Sequence, residues 1–328
     1  MALNTSNFEI LNWDDLETIL NNKPATGTFS SGSHKLDWVL GDGFRTSEFI
    51  VMQAPSGVGK STMLMRQALN CALEGNKCVF LSIGESTLEN VTQQILCMDQ
   101  KIDWSYYKNH KTDTCKKKLI ESRDKLKNNM QIIYSDDINQ KYRYTLTTES
   151  GEVMTDIDGN PCTREIDFIE WLITIRMRKL NCKYLFIDYL GGVDIPGNVK
   201  SYDYFKKISR HLTSYCNRED IMIFTAVQTN RALDEYLTSG DIKPENVDSK
   251  FTAEAKSLIT QSTIAFSLFR DPENNKEYYI NVFKNRNNGN RIGCIKVRTT
   301  AYDFRIRSIG ISKEEERSEC IEDELSHP

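Results

Sequence analysis

The sequence lacks the features that would place the chain in a membrane or in an oxidising compartment. No stretch approaches the roughly 18 consecutive apolar residues of a membrane-spanning helix, and the N-terminus has no basic region followed by an apolar one. The nine cysteines include no CxxC pair and are odd in number, which is more typical of reduced thiols than of disulfides or a zinc site. We therefore expect a cytoplasmic protein with no membrane association.

An excess of basic residues is also missing. The 328 residues include 42 Lys and Arg against 46 Asp and Glu, a formal net charge of −4, and this sum alone disfavours nonspecific adhesion to nucleic acid. The acids are concentrated at one end, because residues 313–328 hold seven acidic and two basic residues and leave the rest of the chain at +1. We predict that residues 311–328 form an acidic, disordered tail and that the body of the protein is not acidic.

The composition, 39% hydrophobic and 27% charged, is that of a globular protein with a sizeable core. Apolar runs typical of buried strands alternate with patterns typical of amphipathic helices, which predicts an α/β fold with a mostly parallel, twisted sheet and helices on both faces. The predicted strands are 48–53, 78–83, 132–134, 184–187, 221–226, 264–269, 278–283 and 294–297, and the predicted helices are 60–73, 87–98, 115–127, 164–180 and 202–216.

Two segments depart from this alternation. Residues 140–163 alternate like strands around Ser150-Gly151 and end in a turn at 158–161, which predicts an inserted hairpin. Residues 12–20 form a short amphipathic stretch, so we expect residues 1–25 to be a linker or oligomerisation segment. The main domain is then expected over 26–310.

A phosphate-binding loop stands between the first strong strand and the following helix, as a P-loop requires. Its glycines let backbone N–H groups curve around phosphate oxygens, Lys60 would reach the β- and γ-phosphates of ATP, and the Ser61 hydroxyl would bind Mg²⁺. Alanine at the first position is small enough for the turn. The predicted nucleotide-binding residues are Ala54, Pro55, Ser56, Gly57, Val58, Gly59, Lys60, Ser61 and Thr62.

Two carboxylates follow predicted strands and should lie at the same edge of the sheet as the P-loop. Asp188 ends an apolar strand and is typical of a residue that holds Mg²⁺, although many strands end in an Asp that caps a turn. Glu85 follows the second strand and is the candidate base that deprotonates water. Its alternative role is to stabilise the first turn of the next helix.

These motifs together resemble those of the C-terminal motor domain of DnaB-type replicative helicases, which belong to superfamily 4 of the RecA-like ATPases. The resemblance covers about residues 26–300 and implies a RecA-like P-loop core. Since residues 1–25 are too short for the family's N-terminal primase-binding domain, we expect a minimal, phage-like version. The matching segments are TG at 26–27, LD at 36–37, LSIGES at 81–86, IDYL at 187–190, AVQTNR at 226–231, FRD at 269–271 and FKNRN at 283–287.

The resemblance assigns roles to residues that carry no such signal alone. It implies that Gln228 senses the γ-phosphate, whereas a Gln at this position is otherwise simply a buried, hydrogen-bonded side chain. It also implies that Lys284 and Arg286 act in trans on the ATP of the adjacent subunit, where a guanidinium suits the charge of the phosphoryl transition state. The alternative is a basic hairpin tip exposed to solvent.

A ring-shaped motor also needs loops that hold single-stranded DNA. Two loops, 191–203 and 231–252, are the candidates, although surface lysines are common in loops of any protein. The predicted DNA-contacting residues are Asn198, Lys200, Arg231, Lys243 and Lys250. The basic segment 101–128 is interpreted as a solvated helix face.

The function implied by the resemblance is an ATP- and Mg²⁺-dependent, homohexameric DNA helicase that translocates on single-stranded DNA and unwinds the replication fork. A separate primase or helicase loader is a further expected partner, and the site of action is the cytoplasm, that of the host for a phage-encoded protein. Two alternatives remain open: a RecA-like recombinase that forms filaments on DNA, and an assembly or loader factor that ATP merely switches.

Overall fold

A computed structural model describes residues 27–308, apart from 85, 137, 149, 193–194, 196–199, 231–232, 234–238, 240–241, 253–255, 275, 288–290 and 301–303. The predicted N-terminal segment 1–25 and the predicted acidic tail 311–328 therefore lie outside the described residues. So do three of the predicted site residues: Glu85, Asn198 and Arg231.

The strands of the described chain are numbered in order along the sequence. They are β1 (Thr28–Phe29), β2 (Phe44–Arg45), β3 (Phe49–Ala54), β4 (Cys78–Ile83), β5 (Met130–Ser135), β6 (Lys141–Thr145), β7 (Thr163–Asp167), β8 (Tyr184–Asp188), β9 (Met222–Gln228), β10 (Ile264–Arg270), β11 (Glu277–Asn285), β12 (Gly293–Thr299) and β13 (Ile306–Ser308). Within the described residues, nine strands form one sheet in the order β13-β12-β11-β10-β3-β9-β8-β4-β5.

The helices of the same described ranges are numbered in the same way. They are α1 (His34–Leu40), α2 (Lys60–Leu73), α3 (Leu88–Asp99), α4 (Trp104–Asn109), α5 (Asp113–Leu126), α6 (Phe168–Trp171, continuing through a π-helical segment Leu172–Met177 into Arg178–Leu180), α7 (Ser201–Glu219) and α8 (Lys256–Gln261). None of the described helices combines the length and the apolar character needed to cross a membrane.

The sheet is parallel from β10 to β5 and is extended on one side by the antiparallel strands β11, β12 and β13. Every residue of β3, β4 and β8 is buried, because helices cover both faces of the sheet. Alternate residues of β3 point to opposite sides: Ile50 and Met52 pack in the core with α2 and α3, and Phe49 and Val51 in the core with α6, α7 and α8. The predicted α/β fold with a mostly parallel, two-sided sheet is confirmed.

One predicted helix begins later than expected. Residues 164–167, predicted as the start of a helix over 164–180, belong instead to β7, which pairs antiparallel with β6. The helix starts at Phe168 because the Asp167 side chain accepts a hydrogen bond from the Glu170 backbone N–H at 2.8 Å and caps the first turn. The β6–β7 hairpin packs against α6 through the Tyr142 ring, which stacks on the Trp171 ring at 4.8 Å.

Candidate nucleotide-binding site

The P-loop joins the carboxyl end of β3 to the amino end of α2. Gly57 and Gly59 have φ angles of 75° and 108°, in the region that favours glycine, so the backbone reverses tightly over a few residues. Gly59 is the N-cap of α2 and contributes no side chain to cap the helix N–H groups. A Cβ atom there would lie 3.2 Å from the Phe304 ring. The uncapped N-terminus of a fourteen-residue helix is suited to bind a phosphate.

Lys60 is the first residue of α2, and its side chain folds back over the loop. Its Nζ donates hydrogen bonds to the carbonyl oxygens of Pro55, at 3.0 Å, and Ala54, at 3.4 Å. The ammonium group also lies 5.9 Å from the centre of the Tyr189 ring. The positive charge is therefore held beside the glycine turn, where the phosphates of a bound nucleotide would lie.

Ser61 and Asp188, which are 127 residues apart in the chain, meet beside the P-loop. The Ser61 hydroxyl donates to Asp188 Oδ1 at 2.9 Å, and Asp188 is almost fully buried at the end of β8. A hydroxyl and a carboxylate oxygen are the hard ligands that Mg²⁺ prefers, and Mg²⁺ in such sites takes its remaining ligands from water and substrate phosphates. No group of three or more His, Cys, Asp or Glu in the described part of the chain forms a complete metal cage. The pair thus fits a cation that arrives with a nucleotide.

Gln228 lies next to the start of the P-loop. It ends β9 opposite Ala54, and the N–H of the next residue, Thr229, donates to the Ala54 carbonyl at 3.2 Å. The side chain of Gln228 is half-buried. This position at the carboxyl edge of the sheet is where a residue that senses the nucleotide would have to stand.

Lys284 and Arg286 lie at the opposite edge of the sheet. The Arg286 N–H donates to the Thr263 carbonyl, and the Thr263 N–H donates to the Phe49 carbonyl, so Arg286 is level with the first residue of β3. The P-loop begins at the last residue of that strand, Ala54, about 17 Å away at the usual rise per residue. An arginine side chain cannot span that distance, so neither cation serves the P-loop of its own chain.

Both cations rest on the C-terminal end of α8. Lys284 Nζ donates to the Ile259 carbonyl at 2.6 Å and to the Thr260 carbonyl at 2.9 Å, and Arg286 Nη2 donates to the Thr260 carbonyl at 3.2 Å. Burial, and then repulsion from Arg286, lowers the pKa of Lys284 to about 8. Lys284 is half-buried whereas Arg286 is exposed, so Arg286 is the cation that presents its charge at the surface.

The described lysines of the predicted DNA loops are all exposed. Lys200 precedes α7 in the connection after β8, whereas Lys243 and Lys250 lie in the connection after β9. Because β8 and β9 are parallel neighbours, both connections leave the sheet at the same edge as the P-loop. The Lys250 side chain is 80% exposed, and its Nζ lies 3.6 Å from Asp248 Oδ2.

Sequence reasoning missed Gln53, a fully buried polar residue in β3. Its amide nitrogen donates to the Asp248 carbonyl at 2.8 Å, and its amide oxygen accepts from the Thr252 hydroxyl at 2.6 Å. These bonds fix the connection that carries Lys243 and Lys250 to the strand that leads into the P-loop. The available signal was a Gln inside an otherwise apolar strand, since a buried amide requires partners.

Comparison with known proteins places this site in context. The family model of the DnaB-like helicase C terminal domain matches residues 28–150, which include the P-loop. The DNA repair protein RadA of Campylobacter jejuni is 26% identical over 125 residues, which are 38% of this chain and 27% of that protein. The chain thus spans only about a quarter of the length of this curated relative.

Two solved structures share the fold. An ATPase domain superposes with a TM-score of 0.66 at 16% identity, over 90% of this chain and 95% of that chain. A DnaB-like replicative helicase, described together with its interactions with primase, superposes with a TM-score of 0.67 at 16% identity, over 91% of this chain and 67% of that chain. At this identity the two structures establish a common fold.

Proposed function

We propose that the chain carries a DnaB-type, RecA-like helicase domain, as its motifs predicted, and that it is the ATP-driven motor of a replicative DNA helicase. The observation that carries this proposal is the division of the site between two edges of one sheet. The P-loop, Asp188 and Gln228 are at the carboxyl edge, and Arg286 is at the other. Each subunit would therefore supply the nucleotide-binding residues of one ATP site at its carboxyl edge and the arginine of a neighbouring ATP site at the other edge.

At the carboxyl edge, the domain binds ATP by its phosphates. The N–H groups of the P-loop and of the first turn of α2 surround the phosphate oxygens, and Lys60 adds a positive charge. Ser61 and Asp188 would hold Mg²⁺, which when bound neutralises charge on the phosphates. Glu85 would take the proton of the attacking water. Replacing Glu85 by Gln should keep nucleotide affinity while turnover collapses, and unchanged turnover would contradict this role.

At the other edge, Arg286 serves the neighbouring subunit. In a closed, head-to-tail assembly, the same contact repeats around the ring and brings Arg286 of each subunit to the nucleotide of the next. Its permanent, planar charge stabilises the charge that spreads over the phosphoryl group in the transition state. We infer a homohexamer. Within each subunit, the hydrogen bonds of Lys284 hold the end of β11, which carries Arg286, against α8.

Single-stranded DNA would pass through the centre of this ring, in contact with the loops that carry Lys200, Lys243 and Lys250. Each loop is only weakly basic, but every subunit repeats it around the strand. The motor would act at a replication fork in the cytoplasm, that of the host for a phage protein, with a separate primase or loader as partner.

Complementation between two inactive variants tests the division of the site. Lys60→Ala removes the phosphate contact but keeps Arg286, and Arg286→Ala does the reverse. Each protein alone should lose most of its DNA-stimulated ATP hydrolysis and fork unwinding, and mixing them should restore hydrolysis at about one quarter of the contacts, those that pair an intact P-loop with an intact Arg286. Arg143→Ala, an exposed arginine in the β6–β7 hairpin, is the matched control that should keep full activity. A fully active Arg286→Ala protein, or a mixture that stays inactive, would refute the shared site.

The match to a DNA repair protein favours one alternative, a RecA-like recombinase that forms filaments on DNA. Electron micrographs with ATP and single-stranded DNA separate the two functions, because a helicase gives closed rings and a recombinase gives extended helical filaments. Filaments without fork unwinding would replace the helicase proposal by this one.

A further inference from the structure

Glu48 is a completely buried acid that directly precedes β3, at the edge of the sheet opposite the P-loop. Its Oε2 accepts a hydrogen bond from the Arg45 backbone N–H at 3.0 Å, and its Oε1 accepts one from Asn287 Nδ2 at 3.0 Å. A buried carboxyl group is costly even when it is hydrogen-bonded. Burial raises the pKa of Glu48 to about 7, against the opposing effect of the Asn287 and Arg45 hydrogen bonds.

The partner of Glu48 follows Arg286 in the chain, and the residue before Arg286 is anchored as well. Asn285 Nδ2 donates to the carbonyl of Val39 near the end of α1, at 2.8 Å, and the Asn287 N–H donates to Asn285 Oδ1 at 3.2 Å. The Arg286 N–H itself donates to the Thr263 carbonyl at 3.0 Å. The backbone that carries Arg286 is therefore fixed on both sides.

We propose that Glu48 is a positioning residue for Arg286, which it serves through Asn287. The carboxyl group ties the turn after β11 to the start of β3 and so sets the direction in which the guanidinium leaves the subunit. This inference rests on the proposed function, in which Arg286 reaches the nucleotide of a neighbouring subunit. A transition-state contact depends on such fixed geometry, since a displacement of about 1 Å can cost about 100-fold in rate.

The hydrogen-bonding requirement distinguishes two substitutions at this position. Gln can keep both bonds, because its oxygen accepts from the Arg45 N–H and its NH₂ group donates to Asn287 once that amide turns over. Leu has a similar size but can make neither bond. We expect Glu48→Gln to retain the DNA-stimulated turnover and Glu48→Leu to lose at least about tenfold, with unchanged binding of a fluorescent ATP analogue to the intact P-loop.

Two further variants separate positioning from folding. Asn287→Ala removes the same bond from the exposed side of the pair and should reproduce the loss even if Glu48→Leu fails to fold. Asp99→Leu removes another buried carboxylate, the last residue of α3, which pairs with Lys125 at 3.2 Å, and should keep its turnover. Equal losses in Asn287→Ala and Asp99→Leu would refute a specific role of Glu48.

Mixing with Lys60→Ala subunits completes the test. These subunits have an intact Arg286, so they should restore hydrolysis at the P-loop of a neighbouring Glu48→Leu or Asn287→Ala subunit. In a random one-to-one mixture, about one quarter of the subunit contacts have this arrangement. Wild-type turnover of both variants alone, or no recovery on mixing while the Arg286→Ala mixture recovers, overturns the positioning role. If the Arg286→Ala mixture also fails, the proposed shared site is wrong.

Discussion

Replacing Glu48 by Gln should remove a pH dependence from the stability of the fold. Burial raises the pKa of Glu48 from 4.5 to about 7 in the folded protein. Between these values the folded chain keeps a proton that the unfolded chain releases, so the free energy of unfolding falls as the pH rises. From about pH 5 to about pH 8, the loss from this single group amounts to about 2.5 kcal/mol. Gln has no proton to lose and should show no such decrease.

Urea unfolding followed by circular dichroism measures this difference. Both proteins are unfolded without nucleotide, at one protein concentration and at about pH 5 and about pH 8, so that assembly and other titrating groups contribute equally and cancel between them. The free energy of unfolding should fall more steeply with pH in the wild type, by about 2.5 kcal/mol over this interval. Identical pH dependence in the two proteins would show that Glu48 is ionised at its ordinary pKa, and the argument from burial would be wrong.

Three further predictions concern the nucleotide and DNA contacts. Asp188→Asn should raise the Mg²⁺ concentration needed for half-maximal ATP hydrolysis, because a neutral amide is a weaker ligand, and an unchanged Mg²⁺ titration would contradict a role at the metal. Lys243→Ala and Lys250→Ala should each reduce the salt dependence of single-stranded DNA binding, by about 0.7 in slope for every subunit whose lysine contacts the strand, and unaltered slopes would remove these residues from the interface. Gly59→Ala should lower the nucleotide affinity, and it should lower the free energy of unfolding by about 1–2 kcal/mol, because its Cβ would crowd the Phe304 ring. Nucleotide titration and thermal unfolding measure these two effects. Unchanged values would show that the loop relaxes to accommodate the Cβ.

The sequence was most informative where one buried strand leads into one loop. The predicted strand 48–53 and helix 60–73 agree closely with β3 and α2, because a short apolar run followed by glycines and then by a helical pattern is compatible with few other structures. The meeting of Ser61 with Asp188 also follows from general rules, since parallel strands bring their carboxyl ends to one edge. Local pattern and sheet polarity together were sufficient there.

Local pattern failed at residues 164–167, whose spacing of apolar residues is compatible with a helix. These residues pair with β6, 20 to 26 residues earlier, and Asp167 then caps the shortened helix. The spacing of apolar residues within a segment carries no information about a partner strand that lies beyond an insertion. The position of Arg286 was unpredictable for a related reason, because only the register of β11 against β10, and of β10 against β3, places it far from its own P-loop.

A buried polar side chain lies near each end of β3, and each one binds a loop that is distant in the sequence. The strand therefore also positions these loops. At the carboxyl end, Gln53 binds the connection that holds Lys250, through Thr252, 199 residues later in the chain. At the other end, Glu48 binds the turn of Arg286, through Asn287, 239 residues later. The P-loop, the connection after β9 and the turn that holds Arg286 are thereby all positioned relative to one rigid strand. Weakening either polar contact shifts a loop relative to the P-loop without removing any nucleotide contact, so it should change turnover or its stimulation by DNA while ATP affinity stays the same.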